Sequence, residues 1–142
     1  MDKYLKIGIL TIVILLFASC LNNDDNEYVD PIESVSQVSI DSVKIPQASM
    51  QVFTTQTIKT FSTLKSSCEN FYGYDYQKAG LTRNIVAYLY KINGKSCGTT
   101  TYKSDDSFNF TPEEVGTYTF NFSSKKKLGG DSIIVKTIVV TN

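Results

Sequence analysis

The sequence of 142 residues contains no histidine and no tryptophan, and only three cysteines and three prolines. Without histidine, the usual Ser-His-Asp and Cys-His arrangements cannot form, and the commonest zinc ligand is missing. No other pattern in the sequence brings catalytic or metal-ligating side chains together. We therefore predict a protein that is not an enzyme, with no catalytic residues, no metal and no cofactor.

An excess of either charge is also lacking, because 14 Lys and Arg oppose 14 Asp and Glu. The charged residues between positions 20 and 40 are nevertheless all acidic, whereas residues 41–142 contain more basic than acidic side chains. The basic residues are scattered apart from Lys125, Lys126 and Lys127, so we exclude nucleic acid as a partner. The lysine run is interpreted as an exposed hairpin tip, or alternatively as a contact for an anionic glycan or lipid headgroup.

No hydrophobic run is long enough for a spanning helix, which needs about 20 apolar residues. The apolar run at residues 7–17 follows Lys3 and Lys6 and ends at Ala18-Ser19-Cys20. This layout predicts a secretory signal peptide over residues 1–19. One interpretation of these residues is an ordinary secretory signal peptide in which Cys20 is incidental.

The same residues resemble a bacterial lipoprotein signal, in which a large apolar residue, two small residues and a cysteine form the lipobox. Phe17 stands where Leu is usual. The resemblance implies that Cys20 is acylated with palmitate-like chains and anchors the protein to a membrane. Two or three acyl chains suffice for stable anchoring.

The leader after the cysteine, "LNNDDNEYVDPIES", is polar and acidic, so residues 20–40 are predicted to be a flexible tether. It resembles the acidic export tag of Bacteroidota-type surface lipoproteins, which implies an outer-membrane protein exposed on the cell surface. The alternative is a periplasm-facing protein whose leader is only a spacer. Leu21, and not Asp, follows the cysteine, so the inner-membrane retention signal is missing.

Short runs rich in Val, Ile, Thr, Phe and Tyr follow the leader, without a helical repeat. They predict an all-β domain over residues 41–142, with about seven to nine strands. Connections this short favour an antiparallel sandwich, with a small barrel as the alternative. The predicted strands, the first of which begins within the leader, are 35–45, 52–54, 58–64, 71–76, 84–92, 99–102, 107–110, 117–122 and 133–140.

The stretch "FNFTPEEVGTYTFNF" resembles the penultimate strand of immunoglobulin-like sandwiches. In that family a turn ends in Gly-x-Tyr, here Gly116 and Tyr118, and the tyrosine hydroxyl holds the turn. Phe120 stands where antibody domains have their second cysteine. The resemblance therefore implies a generic bacterial Ig-like sandwich and no activity of its own.

Cys68 and Cys97 are the only cysteines besides Cys20. An exported domain meets oxidising conditions, so we predict a disulfide between them. Both residues would lie near the open end of a hairpin formed by residues 71–76 and 84–92. Closing this loop would contribute roughly 3 kcal/mol.

Tyrosines alternate along both strands of the predicted hairpin, which is expected to turn near Leu81. Tyr72 would then oppose Tyr90, and Tyr74 would oppose Tyr88. Facing solvent, these rings with Tyr76 would form a platform for sugar rings or a protein. Facing inward, they would simply be core. The candidate platform residues are Tyr72, Tyr74, Tyr76, Tyr88 and Tyr90.

Acidic and hydroxyl side chains offer weaker signals. Asp105 and Asp106 lack the ligand spacing of a calcium loop, and they are interpreted as solvated turn acids. Ser42 and Ser132 lie in Asp-Ser-apolar tripeptides that resemble the acceptor of Bacteroidota O-glycosylation, which makes them candidate modification sites.

The sequence therefore predicts a lipid-anchored cell-envelope module that binds a glycan or a protein. The alternative is a structural accessory lipoprotein subunit of an outer-membrane complex.

Overall fold

The computed structural model describes residues 31–93, 96–126 and 130–142, and these form β-strands joined by turns without any helix. The all-β prediction is therefore confirmed. Residues 1–30, including Cys20, and Lys127 lie outside the described residues. The nine strands are β1 (Ile32–Val38), β2 (Ile40–Lys44), β3 (Ser49–Gln51), β4 (Gln56–Leu64), β5 (Glu69–Ala79), β6 (Thr82–Ile92), β7 (Tyr102–Phe110), β8 (Gly116–Lys126) and β9 (Gly130–Thr141).

The strands form two sheets, as in a sandwich. The three-stranded sheet has the order β2-β4-β7 and is antiparallel throughout. In the six-stranded sheet, β6 pairs with the edge strand β5, with β1 along its second half and with β8 along its first half. The sheet then continues through β9 to β3. Two of the pairings described, β6 with β8 and β3 with β9, are parallel, so this sheet is mixed and not purely antiparallel.

The chain passes from one sheet to the other at Ser39, so the single strand predicted over residues 35–45 is wrong. Val38 at the end of β1 and Ile40 at the start of β2 are both buried. Because the two side chains are two positions apart, the apolar alternation continues across the switch and does not reveal it. The sandwich begins at Ile32, so the predicted tether over residues 20–40 extends too far.

Three further strand predictions need correction. The segment 52–54 is a turn, since Phe53 has φ of +60°, and the strand precedes it at Ser49–Gln51. The runs 99–102 and 107–110 are replaced by the single strand β7, in which side chains alternate between exposed and partly buried positions. The residues between the two predicted runs are polar on both faces of the strand. A search for apolar runs therefore does not identify them as part of a strand.

The core lies between the sheets and is rich in aromatic rings. Tyr118, Phe120 and Phe122 alternate along β8, and each is at most 1% exposed. Phe110 of the facing sheet packs edge-on against Tyr118 and Phe120, with ring centroids 5.1 and 4.9 Å away. Burial of such rings is the main stabilising contribution to a sandwich of this size. Among the described residues, no helix is long and apolar enough to span a membrane.

The predicted disulfide is present and joins Cys68 to Cys97. Cys68 directly precedes β5, and Cys97 lies in the segment that follows β6. The bond therefore closes the open end of the β5–β6 hairpin, as predicted. The hairpin turns at Gly80 and Leu81, between the paired residues Ala79 and Thr82.

Candidate functional site

The predicted tyrosine platform is divided between two faces of the six-stranded sheet. The two-residue turn at Gly80 and Leu81 places Tyr74 opposite Ala87 and Gly73 opposite Tyr88, and a β-bulge follows between Gly73 and Phe71. The predicted pairing of Tyr74 with Tyr88 is therefore wrong. A bulge shifts the alternation by one residue, and composition alone does not locate it.

Tyr72 lies on the outer face of the sheet and is 60% exposed. Its ring meets that of Tyr90 at a centroid distance of 6.4 Å, so these two rings make contact although they are not directly paired. An adjoining shallow pocket of about 320 Å³ includes Val35 and Tyr88 in its lining. The outer face thus retains three of the five predicted tyrosines.

Tyr74 and Tyr76 instead pack on the inner side, against the core. Both rings make edge contacts with Phe108 of β7, at centroid distances of 5.2 and 5.6 Å. These aromatic side chains line a larger cleft between the edges of the two sheets. Its volume is about 630 Å³, within the range of small-molecule sites.

The cleft combines aromatic walls with a few charged side chains. Lys78 from the end of β5 and Glu113 and Glu114 from the β7–β8 turn also line it. Arg83 from β6 and Tyr118 from β8 contribute to the same lining. The cleft therefore takes residues from both sheets and from two turns.

Tyr74 and Tyr76 keep their protons at neutral pH. Burial, reinforced by the charges of Asp106 and Asp105, raises the pKa of Tyr74 to about 12, although a 2.6 Å hydrogen bond with Thr60 opposes the shift. Burial also raises the pKa of Tyr76, against the opposing effect of Arg83. Both phenols are therefore neutral hydrogen-bonding groups.

Arg83 is the charged side chain most enclosed at this site, since it is only 8% exposed. Its Nη1 donates hydrogen bonds to the carbonyl oxygens of Gly80 and Thr82. The guanidinium carbon lies 4.9 Å from the centroid of the Tyr118 ring, a cation–π contact. Its Nε is buried and has no hydrogen-bond partner in the described part of the chain.

Reasoning from the sequence missed Arg83, although a signal was present. Arg83 has the same strand parity as the buried residues Ile85, Ala87 and Leu89. A basic residue at an inward position of an alternating strand indicates a buried charge, which needs a partner.

Two turns meet beside the cleft. The predicted tie is present, because the Glu114 amide donates to the Tyr118 hydroxyl at 3.3 Å. Gly116 has φ of +141°, and a Cβ at this position would lie 2.6 Å from Cδ1 of Leu81. The Leu81 carbonyl in turn accepts a hydrogen bond from the Thr119 amide at 3.1 Å. The β5–β6 turn is thus docked on the start of β8.

Asp105 and Asp106 lie within β7, so their interpretation as turn acids is wrong. Asp105 forms an exposed ion pair with Lys59 at 3.1 Å. Asp106 accepts a hydrogen bond from Ser104, and burial raises its pKa despite that bond. Within residues 31–93, 96–126 and 130–142, no three acidic or cysteine side chains are grouped for a metal ion.

The candidate glycosylation sites differ in accessibility. Ser42 is exposed on β2, an edge strand of the smaller sheet. Ser132 is partly buried, and its hydroxyl donates to the Ser124 carbonyl at 3.3 Å. Ser42 is therefore the more accessible acceptor.

The protein is therefore an all-β sandwich that contains the intrachain Cys68–Cys97 disulfide and has an open cleft between the edges of its two sheets. The chain matches no protein-family model, no curated protein and no solved structure.

Proposed function

We propose that this protein is a binding module of the cell envelope, anchored by acyl chains on Cys20, and that its ligand occupies the cleft between the sheets. The observation that carries the proposal is the cleft of about 630 Å³, which is lined by aromatic rings and by a buried arginine. Apolar walls with a few convergent polar groups are typical of ligand sites. The Cys68–Cys97 disulfide agrees with export to an oxidising compartment.

A glycan suits the cleft better than a flat protein surface does. The rings of Tyr74 and Tyr76 are held in edge contacts with Phe108, which fixes their positions before a ligand binds. Prearranged aromatic groups reduce the ordering cost of binding. Sugar hydroxyls would find acceptors in the carboxylates of Glu113 and Glu114 at the same cleft.

A glycan array tests this proposal with two matched variants. Tyr76→Ala removes a ring from the cleft, and Tyr72→Ala removes an exposed ring from the outer face. Binding should be lost with Tyr76→Ala and retained with Tyr72→Ala, while circular dichroism verifies that both variants fold. Loss of glycan binding with Tyr72→Ala alone would mean that the binding site lies on the outer face. A blank array for the unmodified protein would contradict the carbohydrate proposal.

The lipid anchor and the surface location rest on the sequence. Metabolic labelling with a palmitate analogue should mark the unmodified protein and not a Cys20→Ser variant. Protease treatment of intact cells should remove a C-terminal epitope tag while a periplasmic control protein stays intact. Protection of the tag would contradict surface exposure and favour the periplasm-facing alternative.

A structural accessory subunit is the second candidate, and exposed apolar residues on β9 favour it. Ile133, Val135 and Val139 alternate along one face of this strand, and each is about half exposed or more. A permanent partner in an outer-membrane complex would cover such a surface. Co-purification in mild detergent distinguishes the two functions. A stoichiometric companion that is lost with Val135→Lys supports the subunit, and a monomer supports the binding module.

A further inference from the structure

Arg83 is a buried positive charge at the cleft, and among the described residues neither Glu113 nor Glu114, which also line the cleft, forms an ion pair with it. The ion pairs of the described residues are Lys59 with Asp105 and Lys91 with Glu33, and neither includes Arg83. Two backbone carbonyls and the Tyr118 ring face stabilise the guanidinium in part. Its buried Nε has no acceptor among the described residues, which is an unfavourable state for an N–H group.

We infer that the cleft recognises a sugar that carries a carboxylate, such as a uronic acid residue, through Arg83. This inference rests on the proposed function, because it names the ligand class of the same site. Nη1 is engaged by carbonyls and Nε is buried, so a ligand carboxylate would first accept a hydrogen bond from Nη2. A small turn of the guanidinium would then let the second carboxylate oxygen accept from Nε, which gives two parallel hydrogen bonds.

The other charges at the cleft limit the ligand to a single negative charge. Lys78 adds one positive charge, whereas Glu113 and Glu114 add two negative charges. A phosphate with about two charges would be repelled by these carboxylates, which can instead accept hydrogen bonds from sugar hydroxyls. Tyr76 lines the same cleft, and its hydroxyl would donate a further hydrogen bond to the ligand carboxylate.

Isothermal titration calorimetry with the methyl glycoside of galacturonate, which carries one carboxylate, and with its methyl ester tests the inference. Esterification removes the negative charge and leaves the sugar ring unchanged. The acid should bind the unmodified, disulfide-intact protein about 10- to 100-fold more tightly than the ester, as expected for a charge-assisted hydrogen bond. The ligand pair supplies this comparison without any protein variant.

Arg83→Gln should abolish the preference for the acid over the ester. Lys59→Gln removes an equal charge from an exposed position outside the cleft and should leave the preference unchanged. Because Arg83 also holds the β5–β6 turn, thermal unfolding must show that the variant folds. If it does not, Tyr76→Phe provides the second test and should reduce the preference several-fold.

Equal affinity for acid and ester would overturn the carboxylate inference while leaving the cleft as a glycan site. Absence of binding by both ligands would also overturn it. In that case the array comparison of Tyr76→Ala with Tyr72→Ala still determines independently whether the cleft is the binding site.

Discussion

Replacing Gly116 with alanine should destabilise the protein by about 2–4 kcal/mol. An alanine held at φ of +141° costs about 1–3 kcal/mol of backbone strain. Its Cβ would also lie 2.6 Å from Cδ1 of Leu81, so the leucine side chain or the turn must move. Overpacking of this kind adds about 1–3 kcal/mol, and movement of the flexible leucine brings the total toward the lower part of the summed range.

Urea unfolding of four proteins measures this effect: the unmodified protein, Gly116→Ala, Leu81→Ala and the double variant. Leu81→Ala removes the clash but not the backbone strain. The double variant should therefore be about 1 kcal/mol more stable than additivity predicts. A free energy of unfolding for Gly116→Ala within about 0.5 kcal/mol of the unmodified protein would refute the docking of the two turns, because surface substitutions have effects of that size.

Three further predictions concern stability. Replacing Cys68 and Cys97 by alanine should cost about 2–5 kcal/mol in urea unfolding, and a smaller effect than about 1 kcal/mol would mean that the bond constrains little. Tyr118→Phe should cost about 1 kcal/mol through loss of the hydrogen bond from the β7–β8 turn, whereas Tyr72→Phe on the exposed surface should be neutral. Because the pKa of Tyr74 rises from 10.0 to about 12 on folding, its contribution to stability is complete below pH 10 and is lost as the pH rises toward 12. Tyr74→Phe should therefore lessen the decline of the unfolding free energy over that pH range, and an unchanged decline would contradict the shift.

Local signals in the sequence predicted the parts of the fold that depend on neighbouring residues. The β5–β6 hairpin follows from two apolar-aromatic runs around a turn at Leu81. The tie between Tyr118 and its turn follows from the Gly-x-Tyr spacing. The disulfide follows from having one pair of cysteines near the ends of that hairpin. In each case, short-range geometry determines the contact.

Features that depend on distant segments were not predictable in this way. The bulge beside Gly73 separates Tyr72 from Tyr74, although the sequence alternates regularly there. The switch at Ser39 preserves the apolar pattern while changing the sheet. The cleft exists because β5 and β7 are neighbouring sheet edges, a relation set by the topology. The strand parity of Arg83 indicates a buried charge, but its place in the cleft depends on this topology.

The most direct test of the central claim is a backbone amide NMR titration of the protein with galactotriose and with the methyl glycoside of galacturonate. We expect at least one ligand to shift the amide signals of Gly80, Arg83 and Glu114 around the cleft, while those of Tyr72 and Val135 on the outer face stay unchanged. Shifts confined to the outer face, or no shift with either ligand, would contradict the assignment of the cleft as a glycan-binding site.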